Sequence, residues 1–440
     1  MKSKKVALIN LGCPKNLVDA EEMLGRVAYS GSTICQYPED AEVLIVNTCG
    51  FIDDSKKESI DTILKMAKLK DDARCKKLIV TGCLAQRYPD ELQKEIPEID
   101  HVVGLKEFDK ITSLSGSGNK GEKSLSVRCN DDWRNRIRLT PRHYAYLRIS
   151  DGCDNRCSYC AIPDIRGRFY SRTIENILEE ARKMAGEGVK ELNIISQDTT
   201  SYGIDLYRNK QLHVLLERLS KIKDIEWIRL LYTHPGHFYP ELINFIAKCE
   251  KVCKYIDLPV QHCNDTILEK MRRGVTHTQL RTLIDNLRNH IPGLFLRTSV
   301  IVGFPGETEE QFAELLEFIK AVKFERLGAF TYSQEDGTPA ASFKKQLPEK
   351  VKEQRQKEIM LAQQEIIIEK HRGLIGKSIP VIVDEMSEKG IFIGRSYGDA
   401  PDVDSKVIIQ KAHLKAGDIK NMLITGAEGY DLISTLIREG

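Results

Sequence analysis

Gly152-Cys-Asp-Asn-Arg-Cys-Ser-Tyr-Cys160 is the stretch on which the reading of this chain turns. It sets Cys153, Cys157 and Cys160 in a C-x3-C-x2-C spacing just after an apolar run, Tyr144–Ser150, that reads as a β-strand. Three thiolates on one tight loop suit three irons of a [4Fe-4S] cube and leave the fourth iron open to bind a substrate. A structural zinc site is the alternative, and it closes tetrahedrally with a fourth Cys or His. None follows within the loop, and His143 lies upstream of the strand. Spacing favours the cluster and leaves zinc open.

Outward from this loop, residues 138–370 alternate strand and helix before ending in a charged connecting helix. Strands are expected at Tyr144–Ser150, Glu191–Ser196, Trp227–Tyr232, Tyr255–Val260, Phe295–Val302 and Leu327–Tyr332, with amphipathic helices such as Ile174–Ala185 and Glu310–Ala321 between them. Six βα units suit an open or partial barrel whose chemistry lies at the strand C-termini. The cysteine loop follows the first strand, at that rim. Other strand ends carry Ser196-Gln197-Asp198, Gln261-His262 and, after a strand containing Arg297, Gly303-Phe-Pro-Gly306-Glu307-Thr308. Gly303 and Gly306 allow close backbone approach to a small molecule, and Thr308 with Gln311 makes a capping box. Gly-Lys-Ser/Thr is absent from this loop, which excludes a nucleotide P-loop here. Individually, Gln261, His262 and Arg297 read equally well as ordinary core or surface residues.

Residues 1–137 read β-α-β-α-β, with strands at Lys5–Asn10, Val43–Asn47 and Leu78–Thr81 and helices at Asn16–Ala28 and Asp53–Leu69. The strands are continuous apolar runs, as in a parallel sheet covered on both faces, so a three-layer α/β domain is expected. A Ser/Gly/Lys-rich stretch, Ser113 to Ser126, closes the segment as a linker. Each strand leads into a cysteine: Cys13, Cys49 and Cys83. In a parallel sheet these ends share one edge, where open α/β sheets bind ligands. One such cysteine alone is a core thiol, but three at the same point suggest ligands of a second [4Fe-4S] cluster with an open iron. Cys249 and Cys253, expected four residues apart on a helix Glu241–Cys253, read as buried structural thiols, and Cys35, Cys75 and Cys129 have no convergent setting.

The charged helix Glu349–His371 precedes residues 371–440, which read as short strands at Ile379–Asp384, Ile391–Arg395, Val407–Gln410 and Met422–Thr425, hence a small β-barrel. This tail holds nine Lys/Arg and ten Asp/Glu, a net charge of −1, with Asp399, Asp402 and Asp404 close together. Phosphate neutralisation drives RNA affinity, so the tail suits a basic protein surface better than RNA, unless its acidic loop is merely solvated. The whole 440-residue chain carries +2, no apolar run approaches a membrane span, and no signal-peptide pattern opens it. Twelve cysteines in that setting point to metal or redox chemistry in a reducing cytoplasm, without disulfides.

Cys153-x3-Cys157-x2-Cys160 with Ala161-Ile-Pro163 and Arg166-Gly167 resembles the radical S-adenosylmethionine (SAM) methylthiotransferases. The resemblance spans essentially the whole chain, with a TRAM β-barrel at the C-terminus. Leu11-Gly-Cys-Pro-Lys-Asn16, Asn47-Thr-Cys-Gly-Phe51, Tyr332-Ser-Gln-Glu-Asp-Gly-Thr-Pro339 and Gly394-Arg-Ser-Tyr-Gly-Asp-Ala-Pro401 are similar to the RimO subgroup, which modifies an aspartate of small-subunit ribosomal protein twelve. The sister MiaB type modifies a tRNA adenosine. The resemblance implies that Cys153, Cys157 and Cys160 carry the cluster that binds and cleaves SAM, and that Cys13, Cys49 and Cys83 carry the cluster that supplies sulfur. It implies SAM contacts at Gln261, His262, Arg297, Gly303, Gly306 and Glu307. It also implies an electron donor such as flavodoxin or ferredoxin and a basic ribosomal protein as partner. Ser196-Gln197-Asp198 stands where radical SAM enzymes often have Gly-Gly-Glu, which leaves the partner of the SAM amine open.

Overall fold

The computed structural model describes residues 3–71, 74–115, 132–388, 390–410 and 413–437. Cys129 and most of the expected linker lie outside the described residues. The chain forms two compact units. Met1–Thr140, Asp151–Asn155 and Cys160–Asn176 make the first; Pro141–Ser150, Arg156–Tyr159 and Ile177–Gly440 make the second.

In the first unit, five parallel strands run in the order Thr33–Ile34, Lys5–Asn10, Val43–Thr48, Lys77–Gly82, His101–Val103. Alternate residues of each strand point to opposite faces. Leu44, Val46, Leu78 and Val80 pack with Ile63 and Met66 of helix Asp53–Ala67. Val43, Ile45 and Ile79 pack with Ala20, Met23 and Val27 of helix Pro14–Tyr29 on the other face. Both faces are therefore dry, and three layers result. The two outermost strands were not expected, because two or three residues are too few to show a period.

In the second unit, six parallel strands form an open sheet in the order Arg326–Thr331, Phe295–Val302, Val252–Asp257, Trp227–Leu230, Glu191–Ile195, Tyr144–Arg148. The helix before the fourth strand in the chain is Pro240–Lys248, not Glu241–Cys253. It stops because Cys249 turns extended, at φ −82° and ψ 116°. Cys253 thus lies in strand Val252–Asp257, where burial pushes its thiol up to about 11. Cys253 is buried as expected, whereas Cys249 is half-buried, and the two do not share a helical face.

The tail is a closed five-stranded barrel of Ser378–Met386, Phe392–Ser396, Val407–Gln410, Asp431–Leu436 and Ile419–Glu428. Val381, Val383, Val407, Ile409, Met422, Ile424 and Leu432 fill it. The closing strand Asp431–Leu436 escaped the sequence reading because Ser434 is buried beside Leu432, which breaks the apolar alternation. The acidic loop also corrects an expectation. Asp399 accepts from Arg326 Nε at 2.9 Å and is fully buried. Asp404 accepts from Tyr255 Oη at 2.7 Å and pairs with Arg297 at 3.3 Å, while Asp402 accepts from Tyr146 Oη at 3.3 Å. These carboxylates fasten the barrel to the parallel sheet, so the tail's charge count does not by itself argue for a basic partner. Arg395 and Arg229 do the same through Glu191, at 2.7 and 2.8 Å, and Arg229 also donates to Tyr397 O. Among the described residues no helix is long and apolar enough to cross a membrane.

Candidate active site

Strand register determines where the first three thiols lie. Asn10 pairs with Asn47, and Thr48 pairs with Gly82, so Cys13, Cys49 and Cys83 leave three adjacent strands at one edge. The chain has little room there. A Cβ on Gly12, at φ +88°, would stand 2.8 Å from Cys49 Cβ and 3.1 Å from its Sγ. A Cβ on Gly82, at φ +97°, would meet Thr48 O at 2.4 Å. Both positions require glycine on conformational and steric grounds. Asn16 braces the edge by donating to Leu11 O at 3.1 Å and Thr48 O at 2.8 Å. Asn47 Nδ2 donates to Asn10 Oδ1 and Asn16 O, both at 2.8 Å. Ser59 accepts from Cys49 N at 3.0 Å and returns a bond to Cys49 O at 2.7 Å.

Cys83 feels the other two thiols. Burial pushes Cys83 up to about 12; the neighbouring Arg166 guanidinium opposes the rise, and Cys13 and Cys49 add to it. Arg166 is itself buried and belongs to helix Ile162–Arg166, six residues beyond Cys160. Its Nη2 donates to Asn16 Oδ1 at 2.9 Å and Asp19 Oδ2 at 2.7 Å, and reaches Cys83 Sγ at 3.8 Å. Ala161 and Ile165 of the same segment pack directly on Cys83. Sulfur donors, a buried site and an N–H aimed at a thiol fit an iron–sulfur cluster better than a hard cation.

The loop Cys153–Cys160 is divided between the units. Cys153 and Cys160 belong to the first, where Gly167 O accepts from Cys153 N at 3.1 Å. Cys157 belongs to the second, where Arg273 Nη1 reaches its Sγ at 3.9 Å. Arg273 also donates to Pro259 O, and its buried Nε has no partner among the described residues. Nearby in the second unit, Gln261 is held at φ +70°, a costly conformation for a side-chain-bearing residue, by bonds to Ser299 O and from Ile301 N. His262 is fully buried; Nδ1 accepts from Asn264 N at 3.0 Å, while Nε2 has no hydrogen-bond partner among the described residues and lies 3.9 Å from Glu307 Oε2. Burial, with Arg355 nearby, lowers its pKa to about 3, so it is neutral at physiological pH.

Gly303 and Gly306 adopt φ +74° and +78°. Glu307 Oε2 accepts from Gly303 N at 2.8 Å and Phe304 N at 3.2 Å, and Oε1 takes Arg355 at 2.7 Å. Glu307 therefore shapes the glycine turn. Arg297 is committed to Asp257 at 2.8 Å and Asp404 at 3.3 Å. In the Ser196–Asp198 segment, Asp198 is buried and accepts from Thr200 Oγ1 at 2.6 Å and Ser201 Oγ at 2.9 Å, with His237 Nδ1 at 2.6 Å. Although burial works against it, the His237 contact holds this carboxyl well below the usual range. Cys263 has His277 and Glu314 as neighbours, but Glu314 already takes Asn264 Nδ2 at 2.6 Å.

The Radical SAM superfamily matches residues 147–319, Uncharacterized protein family UPF0004 residues 5–104 and the TRAM domain residues 375–437. Ribosomal protein uS12 methylthiotransferase RimO of Acetivibrio thermocellus is 48% identical over 99% of both chains. The protein of the same name from Heliobacterium modesticaldum is 46% identical over 99% of this chain and 95% of its own. This chain belongs to the RimO family of radical SAM methylthiotransferases. Beyond that family, the radical SAM methyltransferase TsrM of Kitasatospora setae shares the fold at TM-score 0.56 and 15% identity, covering 77% of this chain and 74% of that one. Seen as a RimO-family chain, two neighbours of the thiols escaped the sequence reading. Ser59 and Arg273 carry no local spacing signal, whereas Asn16, Asn47 and Arg166 were visible only as letters within motifs.

Proposed function

We propose that this chain transfers a methylthio group to the β-carbon of an aspartate in ribosomal protein uS12, using SAM and two [4Fe-4S] clusters. Cys153, Cys157 and Cys160 would hold the cluster at which SAM is bound and cleaved; Cys13, Cys49 and Cys83 would hold the cluster that carries sulfur. With SAM, these groups supply one-electron chemistry that no side chain offers. The chain's own residues position and shield. Gly303 is buried against Lys352, whose Cγ would stand 2.4 Å from an added Cβ, and Gly306 N donates to Lys345 O, with Glu307 fixing their turn. Gln261 is locked at its strand end, and His262 offers, among the described residues, an Nε2 without a hydrogen bond in a dry setting, 3.9 Å from Glu307 Oε2. Arg297 supports that rim through Asp257 and Asp404. The domains are read as 1–137, 138–370 and 371–440, the last being the barrel clamped onto the sheet. An external one-electron donor such as flavodoxin or ferredoxin would supply the reducing equivalent, and the protein is read as cytoplasmic.

The convergence of Cys13, Cys49 and Cys83 on one sheet edge carries this reading, because a single-cluster enzyme has no use for it. Mass spectrometry of uS12 from a deletion strain tests it. The methylthio increment is expected to vanish and to return with the wild-type gene but not with Cys49→Ala. An unchanged uS12 peptide, or loss of methylthio groups from tRNA nucleosides instead, would overturn it.

A further inference from the structure

Each triad has one thiol facing a buried guanidinium, yet the two guanidiniums are balanced differently. Beside Cys83, Arg166 is paired with Asp19 at 2.7 Å and Asp151 at 3.5 Å. Beside Cys157, Arg273 has a carbonyl, Pro259 O, and no carboxylate within ion-pair distance among the described residues. Buried Asp198 also acts on Arg273 electrostatically, less strongly than Tyr159 and Cys157 do. Both arginines are essentially dry, at 6% exposure each, so neither charge is relieved by water. Among the described residues, each guanidinium and the carboxylates paired with it sum to about −1 beside Cys83 and about +1 beside Cys157. In a low-dielectric setting such charges act strongly, and cluster potentials follow local charge, hydrogen bonds to sulfur and solvent exposure.

The geometry points to Arg273 as the charge-setting residue that makes the Cys153/Cys157/Cys160 cluster the easier of the two to reduce, while Asp19 and Asp151 cancel the equivalent effect of Arg166 on the Cys13/Cys49/Cys83 cluster. An extra electron is favoured where an uncancelled positive charge faces the ligand sulfur. One electron from an external low-potential donor then settles on the SAM-binding triad, with no proton required. The sulfur-carrying triad stays oxidised, and its bound sulfur is protected from reductive loss. Cys160 and Arg166 stand at either end of one short segment, so the same piece of chain joins a ligand of one triad to the hydrogen-bond donor of the other.

This inference rests on both triads holding clusters, so iron content is measured first on the full, anaerobically reconstituted chain. Dithionite titration with EPR detection, without SAM, then gives each midpoint; the C13A/C49A/C83A and C153A/C157A/C160A variants identify each signal. The loop cluster is expected to reduce first. R273Q should move its midpoint negative and leave the other in place, while R273K should restore most of the shift. D19N should move the Cys13/Cys49/Cys83 midpoint positive and narrow the gap from the other side. A full complement of iron with an R273Q midpoint equal to wild type overturns the inference, as does a wild-type chain whose N-terminal cluster reduces first. A wild-type chain that holds one cluster overturns the two-cluster reading instead.

Discussion

Two parallel sheets in this molecule lead into cysteine triads, and they do so by opposite routes. In the second sheet the triad is local: one strand, Tyr144–Arg148, runs into a loop carrying Cys153, Cys157 and Cys160. In the first, the triad is assembled by topology, one thiol from each of three adjacent strands. A local triad needs only its own loop to be intact. A topological one needs the sheet register, the glycines that let the strand ends approach, and the polar braces on Asn16, Asn47 and Ser59. Iron loading of the local triad should therefore be sensitive mainly to its ligands, and that of the distributed one also to substitutions that touch no ligand.

The largest effect expected is from Cys153→Ala, which should abolish SAM cleavage, read as formation of 5′-deoxyadenosine under reducing conditions. Cys49→Ala should separate the triads: SAM cleavage persists while methylthio transfer is lost. Equal loss of both in Cys49→Ala would mean that the triads do not act as distinct sites.

Next comes the clamp between barrel and sheet. Glu191 is shared by two buried guanidiniums, and Glu191→Gln should cost about 3–5 kcal/mol at neutral pH, measured by chemical denaturation. The pH dependence has a definite sign. Burial alone would raise the Glu191 pKa, but Arg395 and Arg229 outweigh it and hold it below its ordinary value. Asp384 is likewise depressed by His143 and Arg395 against its own burial. A depressed carboxylate contributes stability above its unfolded pKa of about 4 and loses it as pH falls through the lower folded value. Wild type should thus lose stability below about pH 4, and Glu191→Gln should show a shallower acid limb. Parallel acid limbs would assign the sensitivity elsewhere.

The smallest effect sharpens the contrast most. Gly12→Ala and Gly31→Ala both place a side chain at positive φ, +88° and +87°, but only Gly12 is crowded, against Cys49. Each should cost about 1–3 kcal/mol in backbone strain. Gly12→Ala alone should also lower iron loading of the first triad, measured by iron and sulfide analysis. Equal iron in the two variants would show that close approach at Gly12 does not matter to the site.

Much of this was legible in the sequence. The C-x3-C-x2-C loop is a local signal, and the apolar strands ending in Cys13, Cys49 and Cys83 expose a topological one, because parallel strands share an edge. What was not legible depends on tertiary partners. Asp399 and Asp404 read as surface charge, but Arg326 and Arg297, about 70 to 110 residues away in the chain, draw them into the interior. Cys253 reads as helical because the extended turn at Cys249 carries no Gly or Pro signal in the sequence. Strand Asp431–Leu436 was hidden by the buried Ser434. Arg273 stands in an ordinary charged run, Lys270-Met-Arg-Arg273, and nothing in that run says which arginine will face Cys157.

Iron and sulfide analysis with Mössbauer spectroscopy of the anaerobically reconstituted full chain tests the two-triad account most directly. Wild type should bind about eight irons, and C13A/C49A/C83A and C153A/C157A/C160A should each bind about four, all as four-iron clusters. Wild-type iron content in C13A/C49A/C83A would contradict it.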